Sequence, residues 1–311
     1  MLLNLANHLA ATHDVSFVTP PESAENAGGL LEILLPQIER LSLQQARHRR
    51  TFDVLLCHLP YGFEDWIQDP IFGRRVAVSM EIVERTRVAL GPQHQPVFDA
   101  FLCLHSEQIR HFDDEFRRSR CFQLPLIDDV SFEPAFVRTR AVGCVGAPYK
   151  HSFGAMVDLL RRVSGVRQLR VYGHKPLWSI ARHSPWRVRF RGLRPWLAGR
   201  LQYCGTSPDI RKIFESFDCL LHTPRVGNGT SIVVNNALAC GKLVVLSDLP
   251  AYRRAYSGRA GVHFLPDVVD DLPGLFGRYD FDHYQGIIDD YRKRYDRAGA
   301  LEAWQEAVLG E

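Results

Sequence analysis

The sequence contains no CxxC pair. Its seven cysteines, Cys57, Cys103, Cys121, Cys144, Cys204, Cys219 and Cys240, are odd in number and widely spaced. This argues against a disulfide framework and against a zinc knuckle, so reduced, buried thiols of a cytoplasmic protein are expected. No apolar stretch approaches the roughly 18 residues that a membrane span requires. The opening segment MLLNLANHLAATHD lacks a basic n-region and repeats Leu and Ala at helical spacing. An amphipathic helix is therefore expected there, not a signal peptide. There is no internal repeat and no low-complexity tract. The excess of charge of one sign is small, with a formal net charge of only +3. The basic clusters at His48–Arg50, Arg117–Arg120 and Arg292–Arg294 have no interleaved aromatics. They read as solvated helix faces, and nucleic acid is not an expected partner. The mild basic excess is compatible with anionic substrates and with peripheral association at an acidic inner membrane face.

What is present is ordinary globular material: 311 residues, 46% hydrophobic and 23% charged, enough for two compact domains. Short apolar runs of strand type occur at 15–19, 52–58, 75–80, 100–105, 121–126, 141–146, 168–173, 186–190, 201–204, 218–222, 242–247 and 261–265. Helical patterns fall between them at 107–118, 153–163, 209–216 and 230–240. Near-continuous apolar strands alternating with helices predict an α/β fold with parallel sheets covered on both faces. The turn-rich stretch LIDDVSFEPAFVRTR, containing Pro134, separates one such series from a second that starts at Ala141. The residues from Phe281 onward suggest a terminal helix or helix pair.

Ligands of doubly wound sheets sit beyond the carboxyl ends of the strands. The best local candidate is HTPRVGNGTSIVVNNALACGKLVVLSD, residues 222–248. A strand ends near His222, a glycine-bearing loop follows, and a helix starts close to Gly229. Free N–H groups of Thr230, Ser231 and Ile232 at that helix start would suit a diphosphate. The same pattern also fits a plain strand–loop–helix capped by Asn228 or Thr230. Arg225 lies in this loop as a bidentate phosphate partner or as a solvated side chain. Lys150 stands before the second-series helix as a candidate phosphate ligand. In the first half, His58, His105 and Glu81 lie near strand ends, as candidate general bases or as satisfied structural residues. Asp280-Phe281-Asp282-His283 has the form of a D-x-D metal motif, but it precedes a helix that Asp282 is expected to cap, so no metal site is expected. Asp128–Asp129 suggests an Asx-type turn.

The segment around residue 230 resembles the signature P-S-x-x-E-G-x-G/S-x-x-x-x-E-A-x-A-x-G-x-P-V of retaining GT-B glycosyltransferases, above all family four. Pro224, Gly229, Ser231, Ala237, Ala239, Gly241 and Val244 fall in register. LLNLANHLAATHDVSFVT, FDVLLCHLP, FLCLHSEQIRHF, LPLIDDVSFEPA, AVGCVGAPYKHSFGAMVDLLRRV, LRVYGHK and LQYCGTSPDIRKIFESFDCLLHTP are similar, in order, to further family segments across roughly residues 1–265. The chain departs from the family at both signature glutamates, which fall on Asn228 and Asn236, and at the family's phosphate-binding arginine, which falls on Ala147. It begins on the helix that follows the family's first strand and Gly-rich loop.

The resemblance implies two Rossmann-like domains facing a cleft. They would be an acceptor-side domain at 1–135 lacking the first strand, a nucleotide-sugar domain at 136–280 and a helical segment at 281–311. It further implies a retaining hexosyltransferase that uses a nucleotide-diphospho-sugar donor and no obligatory cofactor. The acceptor would be a glycan, a lipid-linked sugar or a small molecule. Donor contacts would come from Gly146, Lys150, Gly173, Gly205, Arg225, Gly229, Thr230, Ser231, Ile232 and Asn236, and catalytic groups from Asn228, His58 and Glu81. Asparagine keeps donor and acceptor hydrogen bonds but not a carboxylate's charge. The alternative is therefore a catalytically silent GT-B protein that acts as a binding or assembly partner.

Overall fold

The protein is represented by a computed structural model that describes residues 2–19, 35–48, 51–58, 67–79, 97–110, 112–128, 130, 135–146, 153–162, 166–173, 186, 196, 198–207, 209–224, 230–265 and 272–310. It divides into two units, residues 1–127 with 297–311, and residues 128–296. Both are α/β, and every strand pairing in them is parallel.

The first unit opens with α1 (Leu2–Leu9), which buries Leu5 and Leu9. β1 (Ser16–Thr19) pairs with β2 (Glu39–Ser42). Ser42 then starts α2 (Leu43–Arg47) through a capping box: its hydroxyl accepts from Gln45 N–H at 3.2 Å, and Gln45 Oε1 accepts from Ser42 N–H at 2.8 Å. A four-stranded sheet follows in the order β3 (Phe52–His58), β4 (Phe72–Ser79), β5 (Ala100–Cys103), β6 (Cys121–Gln123). The helix expected over 107–118 is broken. A single 3-10 turn at Ser106–Ile109 is followed by α3 (Asp114–Arg120). The break is set by Asp113, whose carboxylate accepts from Phe116 N–H at 2.8 Å and so starts a new helix. Acidic residues in the first turn of α3 and arginines in its last turn complement the helix dipole. The helix Arg297–Leu309 closes this unit: Trp304 is fully buried and donates to Pro125 O at 2.7 Å. Arg74 donates to the carbonyls of Ala307 and Val308 near the end of that helix.

The second unit carries a six-stranded sheet, ordered β9 (Leu201–Gly205), β8 (Gln168–Tyr172), β7 (Ala141–Val145), β10 (Cys219–His222), β11 (Leu243–Ser247), β12 (Val262–Leu265). The chain thus builds outward from β7 to one edge, returns beside β7, and builds to the other edge. This is the doubly wound order. Val142, Leu169, Leu220 and Val244 on four of these strands are fully buried, each burial contributing roughly 1.5–3 kcal/mol. Gly143 of β7 has no Cβ because one would fall 2.2 Å from the Phe217 ring. The helices are α4 (Phe153–Arg162), α5 (Ile210–Glu215), α6 (Ile232–Ala239), α7 (Pro250–Tyr256), α8 (Leu272–Arg278) and α9 (Phe281–Arg294).

Two expectations change here. The cap of α9 is Asp280, which accepts from His283 N–H at 3.0 Å; Asp282 lies in the first turn instead. The residues expected as one helical segment, 281–311, divide between the units, with α9 in the second and 297–309 in the first. Tyr295, in an extended conformation at the end of α9, makes the break. The strand expected at 186–190 lies, apart from Trp186, outside the described residues. All seven cysteines are free, and burial pushes the Cys57, Cys103 and Cys240 thiols up to about 12. Among the described residues, no helix is long and apolar enough to cross a membrane.

Candidate functional site

In the second unit, β7 and β10 are adjacent, yet the chain leaves them toward opposite edges of the sheet. Such a switch point opens a crevice at the carboxyl ends of the pair, where doubly wound folds hold their ligands. Three candidate glycines line up along that edge. Gly146 follows β7 and donates its N–H to Tyr172 O at 3.1 Å; Gly173 follows β8 and donates to Gly205 O at 2.8 Å. Gly146 adopts φ +112° and Gly205 φ +73°, both in the region that favours glycine. A Cβ on Gly146 would lie 3.9 Å from Val233, so the exit of β7 and the first turn of α6 are in van der Waals reach.

From β10 the chain continues through Thr223 and Pro224, and Pro224 O accepts from the Ser247 hydroxyl at 3.0 Å. This ties the exit of β10 to the end of β11. His222, the last residue of β10, is buried and lies 3.1 Å from the Tyr252 hydroxyl. The helix expected at 230–240 is observed as α6, with Ser231 at its N-cap in an extended conformation (φ −140°, ψ 124°). Asn235 and Asn236 are both buried on it, at 7% and 5% exposure.

One expectation about this helix is corrected. The amide of Ser231 is not free. It donates at 2.8 Å to the hydroxyl of Tyr256, a fully buried residue at the end of α7. That hydroxyl also lies 3.1 Å from Asn235 Oδ1 and 3.4 Å from Ser231 O. With a single proton to give, it accepts from Ser231 N–H and donates to the nearer acceptor, Asn235. The Ser231 side chain itself makes no capping bond. The amides of Ile232 and Val233 belong to the first turn, whose N–H groups have no acceptor within the helix.

The structure therefore brings Gly146, Gly173, Gly205, Thr230, Ser231 and Ile232 to one end of one sheet, while Asn236 lies farther along α6. Lys150, Arg225, Asn228 and Gly229 lie outside the described residues, as does Glu81. His58 is the last residue of β3 in the first unit, paired in register with Val78 of β4. Beside it, the ends of β4 and β5 are joined by Gln108. Its Oε1 accepts from the N–H groups of Leu104 and His105, each at 2.9 Å, and its amide donates to Ser79 O at 3.3 Å.

Residues 139–274 match the family model described as glycosyl transferases group 1. No curated protein sequence matches the chain. Among solved structures, Anabaena HepE in complex with UDP is 12% identical, with 100% of this chain and 96% of HepE covered at a TM-score of 0.69. WaaG, a glycosyltransferase involved in lipopolysaccharide biosynthesis, is 13% identical, with 100% and 95% covered at 0.64. TarM is 12% identical at 0.58; 81% of this chain is covered, and it spans about half of TarM, 54%. At such identities these likenesses concern the fold.

Proposed function

We propose that this chain, which has the GT-B glycosyltransferase fold and carries a group 1 glycosyl transferase domain at residues 139–274, transfers a hexosyl group from a nucleotide-diphospho-sugar to an acceptor with retention of configuration. The observation that carries this reading is the first turn of α6 opening at the switch point of a doubly wound sheet within the matched residues. The diphosphate sits against Ser231 and Ile232, with Gly229, Thr230 and the side chains of Arg225 and Lys150 completing its surroundings. The ribose lies near Asn236, and the base near Gly173 and Gly205. Departure of the sugar leaves negative charge on the diphosphate. Amide donors and the positive end of the α6 dipole, fixed in advance, stabilise that charge without reorganising. The first unit carries the acceptor, with His58 or Glu81 available to take the hydroxyl proton.

The test is incubation with a panel of UDP- and GDP-sugars, read as thermal shift and as released nucleotide. Binding of at least one is expected; no shift and no turnover with any of them overturns the proposal.

A second reading rests on Asn228 and Asn236 standing where the resemblance places two glutamates. In that reading the fold binds a partner and no longer transfers sugar. Asn228→Glu with Asn236→Glu separates the two. Activity gained by the double variant favours the silent reading, whereas turnover by the wild type that the variant loses makes the asparagines part of a working site.

A further inference from the structure

Three of the chain's five tryptophans, Trp178, Trp186 and Trp196, fall within residues 174–200, between β8 and β9. Of these residues, Trp186, Trp196 and 198–200 are among those described. Trp186 is 63% exposed and Trp196 53%, whereas Trp304 in the first unit is fully buried. Among the described residues, no large apolar side chain is more exposed than Trp186.

The same stretch concentrates positive charge. Its sequence, HKPLWSIARHSPWRVRFRGLRPWLAGR, holds six arginines and one lysine, and no Asp or Glu occurs between Asp158 and Asp209. The whole chain carries 38 Lys and Arg against 35 Asp and Glu, so without these seven cations it would be net acidic. Arg200 donates to Val166 O at 3.0 Å, a contact that leaves its charge in place. Arg167, exposed just before β8, adds a further cation.

An exposed indole leaves an apolar ring in water, whereas the headgroup layer of a bilayer accepts both the ring and its N–H. Arginine pairs bidentately with phosphate, and an acidic leaflet attracts each cation close to it. The alternation of arginine with aromatic residues at 186–191 would also suit stacking on nucleic-acid bases. The aliphatic side chains of Leu177, Ile180, Leu193 and Leu197 decide against that, since they offer a base nothing to stack on but suit the boundary of the acyl layer.

We infer that residues 174–200 dock this chain on an anionic phospholipid bilayer, with Trp186 and Trp196 seated in the headgroup layer and the arginines against lipid phosphates. The inference stands apart from sugar transfer. Vesicle binding needs neither donor nor acceptor, so failure of either reading leaves the other untouched.

The test is co-sedimentation of the full chain with vesicles of phosphatidylcholine alone or mixed with phosphatidylglycerol. Binding to the mixed vesicles is expected, with little to phosphatidylcholine and a loss on going from about 0.1 M to about 1 M salt. Trp186→Ser with Trp196→Ser should weaken binding about tenfold and abolish quenching of tryptophan emission by lipids brominated in the acyl chain. Arg187→Gln with Arg189→Gln and Arg191→Gln should also weaken it by about tenfold or more, each cation being worth roughly fivefold at such a surface. Both sets should keep the wild-type Tm. The control, Arg292→Gln with Lys293→Gln and Arg294→Gln, removes the same charge at the end of α9 and should bind within about twofold of wild type.

No sedimentation of the wild type with the mixed vesicles overturns the inference. So does undiminished binding in both the tryptophan and the arginine sets, or an equal loss in the control, which would make net charge the cause. Binding to single-stranded poly(U) through the same residues, with none to vesicles, overturns it in favour of a nucleic-acid surface.

Discussion

Asp218 accepts the backbone N–H of Arg140 at 2.6 Å, just before the first strand of the second unit. The same carboxylate accepts from Thr139 N–H at 2.8 Å and from the Thr139 hydroxyl at 3.0 Å. Arg140, the one non-glycine described with positive φ, sits at φ 54°. A buried carboxylate with three donors thus holds a backbone turn that an L-residue adopts only at a cost of about 1–2 kcal/mol. Asp218→Asn keeps the volume but puts an N–H₂ against one of the donors. A loss of about 2–3 kcal/mol is expected in urea denaturation. Arg140→Gly relieves the φ cost at the same turn and should be neutral or mildly stabilising.

Lys242 lies next to this cluster and is fully buried, and among the described residues its Nζ has no hydrogen-bond partner. Burial depresses its pKa, and the nearby Asp218 charge opposes that only in part. The unfolded chain, with its ordinary amine, therefore holds the proton over a pH range in which the folded chain does not. Stability should rise with pH between the depressed and the ordinary pKa, and the penalty is present in full below the depressed value. Lys242→Met fits the same space without the ammonium. It should be more stable by about 1–3 kcal/mol at neutral pH and lose the alkaline rise of Tm. A Met variant that melts lower than wild type at pH 7 contradicts this.

The strands of both units were legible because they are short continuous apolar runs; 52–58, 141–145 and 219–222 need no context. β2, with the sequence ERLS, was not, since only Leu41 of its four residues is buried. α7, which carries Tyr256, is marked in the sequence only by Pro250 at its start, a residue suited to a first helical turn. The local signal for Tyr256 was one-sided: two adjacent asparagines in the apolar helix IVVNNALA demand a buried polar partner, but nothing local says where it is. The partner comes from a later element, so the Ser231 amide was expected free when it is occupied. The glycines at the strand ends were legible by position, whereas their left-handed φ values needed coordinates.

Those φ values separate two substitutions at the candidate donor site. Gly146 has room for a Cβ, the nearest atom being Val233 Cγ2 at 3.9 Å, but its φ of +112° suits glycine alone. Gly146→Ala should force the exit of β7 to move and weaken UDP or GDP binding about tenfold or more by calorimetry. Gly205→Ala, at φ +73° with no atom within 4 Å, meets a milder left-handed cost of about 1–2 kcal/mol in stability. Equal loss of nucleotide affinity in both variants would place the diphosphate elsewhere than beside Gly146.

The final helix poses a separate question for the first unit, because Arg297–Leu309 returns to it after the whole second unit has intervened. Its hold depends on Trp304, fully buried, with Nε1 bonded to Pro125 O at 2.7 Å. Trp304→Phe retains most of the apolar contact but leaves that carbonyl unpaired, for an expected loss of about 1–2 kcal/mol. Trp304→Ala adds a cavity and should lose about 3–5 kcal/mol. Because both effects fall on the first unit, the proteolytic cuts that appear first should lie within residues 1–127, while fragments covering 128–296 persist. Early cleavage inside β7–β12 in Trp304→Ala would instead mean that the helix stabilises the second unit, contrary to the packing described.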